Sequence, residues 1–186
     1  MVNIFKDRPE VILIGFANEN NLVGNRSDGT SEADWYSLVD AACAAGKVAA
    51  PDITTLTVDA EVGTYPGDAA LPNVDVIGVN LYRGATFTDI LQDVVALSTK
   101  PFIITEFGIE RSDNSQAEQN DQASEVLALI QEAETYKSII PGWVHFKWTH
   151  NSLSSQLYHI AVPLSAGVYQ SREKYAAYDT IKDYLT

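Results

Sequence analysis

The sequence predicts an α/β fold with a parallel sheet, and three observations carry that prediction. Five short apolar, β-branched runs recur along the chain, at residues 11–17, 54–59, 74–80, 101–106 and 142–148. Polar or amphipathic segments separate them, as alternating strands and helices require. The runs are apolar on both faces, which suits strands buried on both sides in a parallel sheet.

The first run, Val11-Ile12-Leu13-Ile14-Gly15-Phe16-Ala17, passes into Asn18-Glu19. Residues 31–45 read as a helix capped by Ser31 or Thr30, with Trp35, Leu38, Val39 and Ala42 on one face. After the second run, the connection 61–73 is rich in Gly and Pro and leaves room for at most one helical turn. The third run is followed by a helix over 88–97 with Ile90, Leu91, Val94 and Val95 inward. The fourth closes on Glu106. A long helix then spans about 116–136, with Val126, Leu127, Leu129 and Ile130 inward. The fifth run precedes a last helix over 173–185 that carries Tyr175, Tyr178, Ile181 and Tyr184. Repeats, low-complexity tracts and linkers are lacking, so residues 1–186 form one domain.

The 186 residues, 46% of them hydrophobic and 20% charged, belong to an ordinary globular composition. Twelve Lys and Arg against 25 Asp and Glu leave a formal charge of −13. Such a surface repels nucleic acid and anionic membranes and favours a neutral or cationic substrate, although acidity by itself also serves solubility. No apolar run approaches the roughly 20 residues needed to span a bilayer. The first residues, Met1 to Arg8, lack the apolar core of a signal peptide, which says nothing about secretion if the chain is a piece of something longer. No localisation follows from composition or from the first residues. Cys43, the sole cysteine, reads as a buried structural thiol. Three scattered histidines give no metal-ligand spacing, and no glycine-rich phosphate loop is present, so neither metal nor cofactor is expected.

Two glutamates stand out, since each closes an apolar run: Glu19 the first and Glu106 the fourth. Were these runs neighbouring parallel strands of one α/β barrel, both carboxyl groups would emerge on the rim where such barrels keep their chemistry. Two carboxylates facing one cleft can break a glycosidic bond. In the retaining version a protonated carboxyl donates to the leaving oxygen, while an ionised one, roughly 5 to 5.5 Å away, attacks the anomeric carbon. A single Glu after a strand is ordinarily only the solvated start of a loop; the matched pair makes the stronger case.

Four segments in order then resemble the clan A glycoside hydrolases, retaining enzymes on the (β/α)8 TIM barrel. They are Asn18-Glu19 after its strand, Val74-Asp75-Val76-Ile77-Gly78-Val79-Asn80-Leu81-Tyr82, Lys100-Pro101-Phe102-Ile103-Ile104-Thr105-Glu106-Phe107-Gly108, and Gly142-Trp143-Val144-His145-Phe146-Lys147-Trp148. They are similar to strands four, six, seven and eight, with Thr54-Thr55-Leu56-Thr57-Val58-Asp59 as strand five. The resemblance implies a partial TIM barrel and hydrolysis of β-glycosidic bonds in oligo- or polysaccharides. It implies Glu19 as general acid/base and Glu106 as nucleophile. It further implies that Asn18 holds the sugar 2-hydroxyl, that Tyr82 hydrogen-bonds the nucleophile, and that Trp148 forms a platform under a sugar ring. His150, with Asn151, lies just beyond Trp148 and could touch substrate. Each has a plainer reading: Asn18 as a turn cap, Tyr82 as a loop residue, Trp148 as core. His145 reads as an interior or helix-facing histidine.

The sequence departs from the family's pattern in one large respect: strands one to three and their helices have no counterpart. An unclosed parallel sheet leaves edge N–H and C=O groups without partners. The chain is then the C-terminal part of a longer enzyme, or pairs with a polypeptide supplying the missing strands, or covers its edges by self-association. Phe16 stands where many relatives carry tryptophan, and residues 157–171 follow the pattern only loosely. A different class also remains open, a non-catalytic carbohydrate-binding or assembly subunit that keeps the strand motifs as packing elements.

Overall fold

The computed structural model describes residues 2–19, 21–22, 29–61, 70–97, 100–113, 115–146, 161–163, 172–174 and 176–186. Five strands, β1 (Leu13–Gly15), β2 (Thr54–Ala60), β3 (Val76–Leu81), β4 (Phe102–Phe107) and β5 (Gly142–His145), form one sheet in that order. Every pairing is parallel. This is the wall of a partial (β/α)8 barrel, ending in β1 on one side and β5 on the other. A short antiparallel pair, β6 (Ala161–Pro163) and β7 (Arg172–Lys174), stands apart from it.

The helices bounded within the described residues are α1 (Val2–Phe5), α2 (Glu32–Ala49), α3 (Ile90–Leu97), α4 (Gln116–Glu134) and α5 (Ala176–Leu185). Ser31 caps α2 by accepting from the Asp34 N–H at 3.1 Å. Ser115 does the same for α4 from the Glu118 N–H, while the Glu118 carboxylate accepts from the Ser112 N–H at 2.8 Å. These satisfy donors that a helix start leaves unpaired. The buried face of α2 is Tyr36, Val39, Cys43 and Gly46; of the expected Trp35, Leu38, Val39 and Ala42, Val39 is buried and Trp35 packs beside it, whereas Leu38 and Ala42 are not part of that core. Leu38 is 58% exposed, because the helix lies about one position further round and lets Phe16 seat against Gly46. Burial pushes the Cys43 thiol up to about 11, as expected of a structural cysteine. The last helix begins at Ala176 because residues 172–174 are spent on β7.

The sheet has two faces of different character. Outward, Ile77, Val79, Leu81, Phe102, Ile104 and Phe107 pack against Leu91, Val94, Val126, Leu129 and Ile130 of the helices. Inward, Leu56, Val58 and Val76 cluster with Leu13 and Ile103. Gly78 faces the same interior. A Cβ there would stand 2.8 Å from both Val58 Cγ2 and Thr105 Cγ2, so only a hydrogen lets the side chains of β2 and β4 meet across β3. Gly78→Ala is therefore expected to destabilise the fold by about 1–3 kcal/mol through overpacking, read as a lower urea midpoint at unchanged slope.

The ends of the strands opposite the glutamates are tied by side chains. Lys47 of α2 pairs with Asp75 at 2.5 Å, and Asp75 also accepts from the Thr55 N–H at 2.9 Å. Burial works against ionising Asp75, but the bonds from Lys47 and Thr55 outweigh it and hold its pKa below the ordinary value. Asp40 grips both amide groups of Asn73 at 2.8 Å.

Candidate active site

Strand β1 is short, and the chain leaves it through Asn18 and Glu19 at the carboxyl end of the sheet. Glu19 has φ of 54°, a left-handed backbone that a non-glycine residue takes at a cost. Three hydrogen bonds secure that turn. The Leu22 N–H donates to the Glu19 carbonyl at 3.1 Å. The Asn21 carboxamide lies against Ala60, accepting its N–H at 2.8 Å and donating to its carbonyl. Asn21 thus completes the end of β2 as a strand neighbour would.

Glu106 is placed by a bulge. Val79 pairs with Ile104 but Asn80 pairs with Glu106, so β4 carries one extra residue at this point. Ile104 and Phe107 both face the outer core, which strict alternation forbids for residues three apart. The extra residue resolves this by placing Thr105 and Glu106 together on the inner side, the re-aiming that bulges near functional sites perform. Phe107 fixes the outward turn, its ring meeting Phe87, Trp143 and His145 edge-on at 5.9, 5.8 and 5.5 Å.

The strands bearing Glu19 and Glu106 are separated by β2 and β3, the spacing implied by their resemblance to strands four and seven, and are not direct neighbours. Asn80 of β3 links the two sides. Its backbone is paired with that of Glu106, and its side-chain amide donates to Asn18 Oδ1 at 3.2 Å and Glu19 Oε1 at 3.3 Å. Reaching β1's end from β3 means passing over β2 at Ala60, the register partner of Asn80, whose methyl leaves the path open. Asn80 is 1% exposed, and Thr105 orients it by donating to its Oδ1 at 2.7 Å.

Tyr82, two residues beyond Asn80, points to the same side and donates its hydroxyl to Glu106 Oε2 at 2.7 Å. Phe146 braces the phenol ring edge-on at 5.9 Å. The structure therefore brings Asn18, Glu19, Tyr82 and Glu106 to one rim through Asn80. Trp148, His150, Asn151 and His159 lie outside the described residues. Sequence reasoning passed over Asn80, Thr105 and Phe146. A buried-strand position holding Asn among Val79 and Leu81 was the available signal, since an amide in such a run needs partners.

His145 is helix-facing. Both ring nitrogens are buried, with no hydrogen-bond partner among the described residues. Burial lowers its pKa from 6.5 to about 4. The neutral imidazole's contribution to stability is complete above about 6.5 and drains away as pH falls toward 4, because the unfolded chain takes up the proton first. Denaturation midpoints between pH 7 and 4 should show a slope of up to about 1.4 kcal/mol per pH unit from this residue, absent in His145→Leu.

No family model and no curated protein matches this sequence. Solved structures do. Xylanase 10B from Thermotoga petrophila RKU-1 in complex with xylobiose aligns with a TM-score of 0.69 at 18% identity, over 99% of this chain and 62% of that one. A β-glucuronidase from Ruminococcus gnavus in complex with C6-substituted uronic isofagomine gives 0.71 at 16% identity, over 97% and 33%. β-Glucuronidase 2 of Bacteroides uniformis, covalently bound to cyclophellitol-6-carboxylate aziridine, gives 0.63 at 16% identity, over 85% and 22%. The fold is thus the partial barrel that the sequence predicts, and its structural neighbours are glycoside hydrolases. This chain spans less than two thirds of each of these proteins.

Proposed function

We propose that this chain is the catalytic-rim portion of a retaining β-glycosidase, corresponding to barrel strands four to eight and acting on oligo- or polysaccharides. The observation that carries the reading is the linked set Glu19–Asn80 and Tyr82–Glu106 at one rim. Tyr82 occupies Oε2 of Glu106, which leaves Oε1 to attack the anomeric carbon. Glu19 gives its proton to the departing glycosidic oxygen as that bond breaks. Glu19, now ionised, takes a proton from water, and the hydroxide oxygen displaces Glu106 from the sugar carbon to restore both groups. Asn18 holds the 2-hydroxyl and Trp148 stacks under a sugar ring, as the family resemblance implies, and His150, next but one after Trp148 in the sequence, adds a further sugar contact. The partner is a chain segment or polypeptide that supplies the missing strands and closes the barrel.

The test is labelling with a 2-deoxy-2-fluoro β-glycoside after the native particle's mass and polypeptides are determined. A covalent increment on the Glu106 peptide is expected. A closed, fully assembled barrel that binds sugar yet takes no label would favour the non-catalytic binding subunit instead.

A further inference from the structure

We infer that Glu61 is a positioning residue that fixes Tyr82 and, through Tyr82, the attacking geometry of Glu106; its chemical meaning rests on the glycosidase reading above. Glu61 follows the last residue of β2 and, like Glu19, takes a left-handed φ of 54°. Its N–H still donates to the Asn80 carbonyl at 2.9 Å. Its side chain then runs back along β3. Oε1 accepts the Tyr82 N–H at 2.8 Å and Oε2 accepts Arg83 Nε. β2 ends one residue too early to offer Tyr82 a carbonyl, so the carboxylate takes the place of the next strand residue. One residue thereby holds the backbone at both Asn80 and Tyr82, whose side chains reach Glu19 and Glu106 respectively. A shift of the Tyr82 backbone would carry its hydroxyl off Oε2, because the ring is rigid and braced by Phe146. No bond is made or broken at Glu61 itself.

The experiment is carbon-13 NMR of the full chain labelled at glutamate carboxyls, with Glu106 assigned through Glu106→Gln. Tyr82→Phe is expected to move the Glu106 resonance, and Glu61→Ala to move it in the same direction. Glu61→Gln keeps an acceptor for the Tyr82 N–H while removing the charge opposite Arg83, and it should restore the wild-type position. A Glu106 resonance that Glu61→Ala leaves in place, or that Glu61→Gln displaces as far as Tyr82→Phe does, overturns the inference. Should Glu61→Ala not fold, the Glu61→Gln result decides. In the assembled enzyme, labelling of Glu106 by the fluoro-glycoside should slow about 10- to 100-fold in Glu61→Ala and return to near the wild-type rate in Glu61→Gln. A wild-type enzyme that takes no label counts against the glycosidase reading, whereas the resonance test judges Glu61 separately.

Discussion

Glu106→Gln in the assembled enzyme is expected to cut hydrolysis by about 10⁴-fold or more while sugar affinity stays close to that of the wild type. The amide keeps the size of the carboxylate and still offers Tyr82 an oxygen, so the hydrogen bond at Oε2 can persist. It lacks the negative charge and the nucleophilic oxygen, so the covalent intermediate cannot form. Steady-state kinetics alongside calorimetric titration with substrate separates the two effects. Turnover near the wild-type rate would remove Glu106 from the nucleophile's role.

Phe107→Ala should produce the largest loss of stability, about 3–5 kcal/mol, as a buried aromatic is replaced by a cavity. Phe107 is 1% exposed and touches three rings drawn from β5 and the segment before α3. It also anchors the far side of the bulge that turns Glu106 inward. Activity should therefore fall further than the unfolded fraction accounts for, because the carboxylate loses the constraint that aims it. Urea denaturation and kinetics on the same preparation measure both. A stability change under about 1 kcal/mol would mean that the ring is not an integral part of the core.

The strands and long helices were legible because their signals are local. β-Branched runs mark β2 to β4, Ser31 marks the start of α2 within a residue, and the apolar spacing of Val126, Leu129 and Ile130 marks α4. The buried face of α2 was misread, since Leu38 and Tyr36 differ little as apolar residues and only Gly46 records how closely Phe16 approaches. The rim position of Glu19 and Glu106 was legible from strand ends. Their connection through Asn80 was not, because it depends on an inserted residue at Thr105 and on the small side chain of Ala60, which are properties of three strands at once. Short β1 was overextended in the reading: Ile12 is 75% exposed and precedes the pairing that begins at Leu13.

The carboxamide of Asn21 has a consequence for how the proposed proton donor would behave. A group that both gives and receives a hydrogen is required opposite a peptide unit, which aspartate and leucine cannot be. With the β1 ladder before it and this amide after it, the proposed acid is presented from a stretch of chain tied to the same strand, β2, on both sides, so its nearest polar company is set by the sheet.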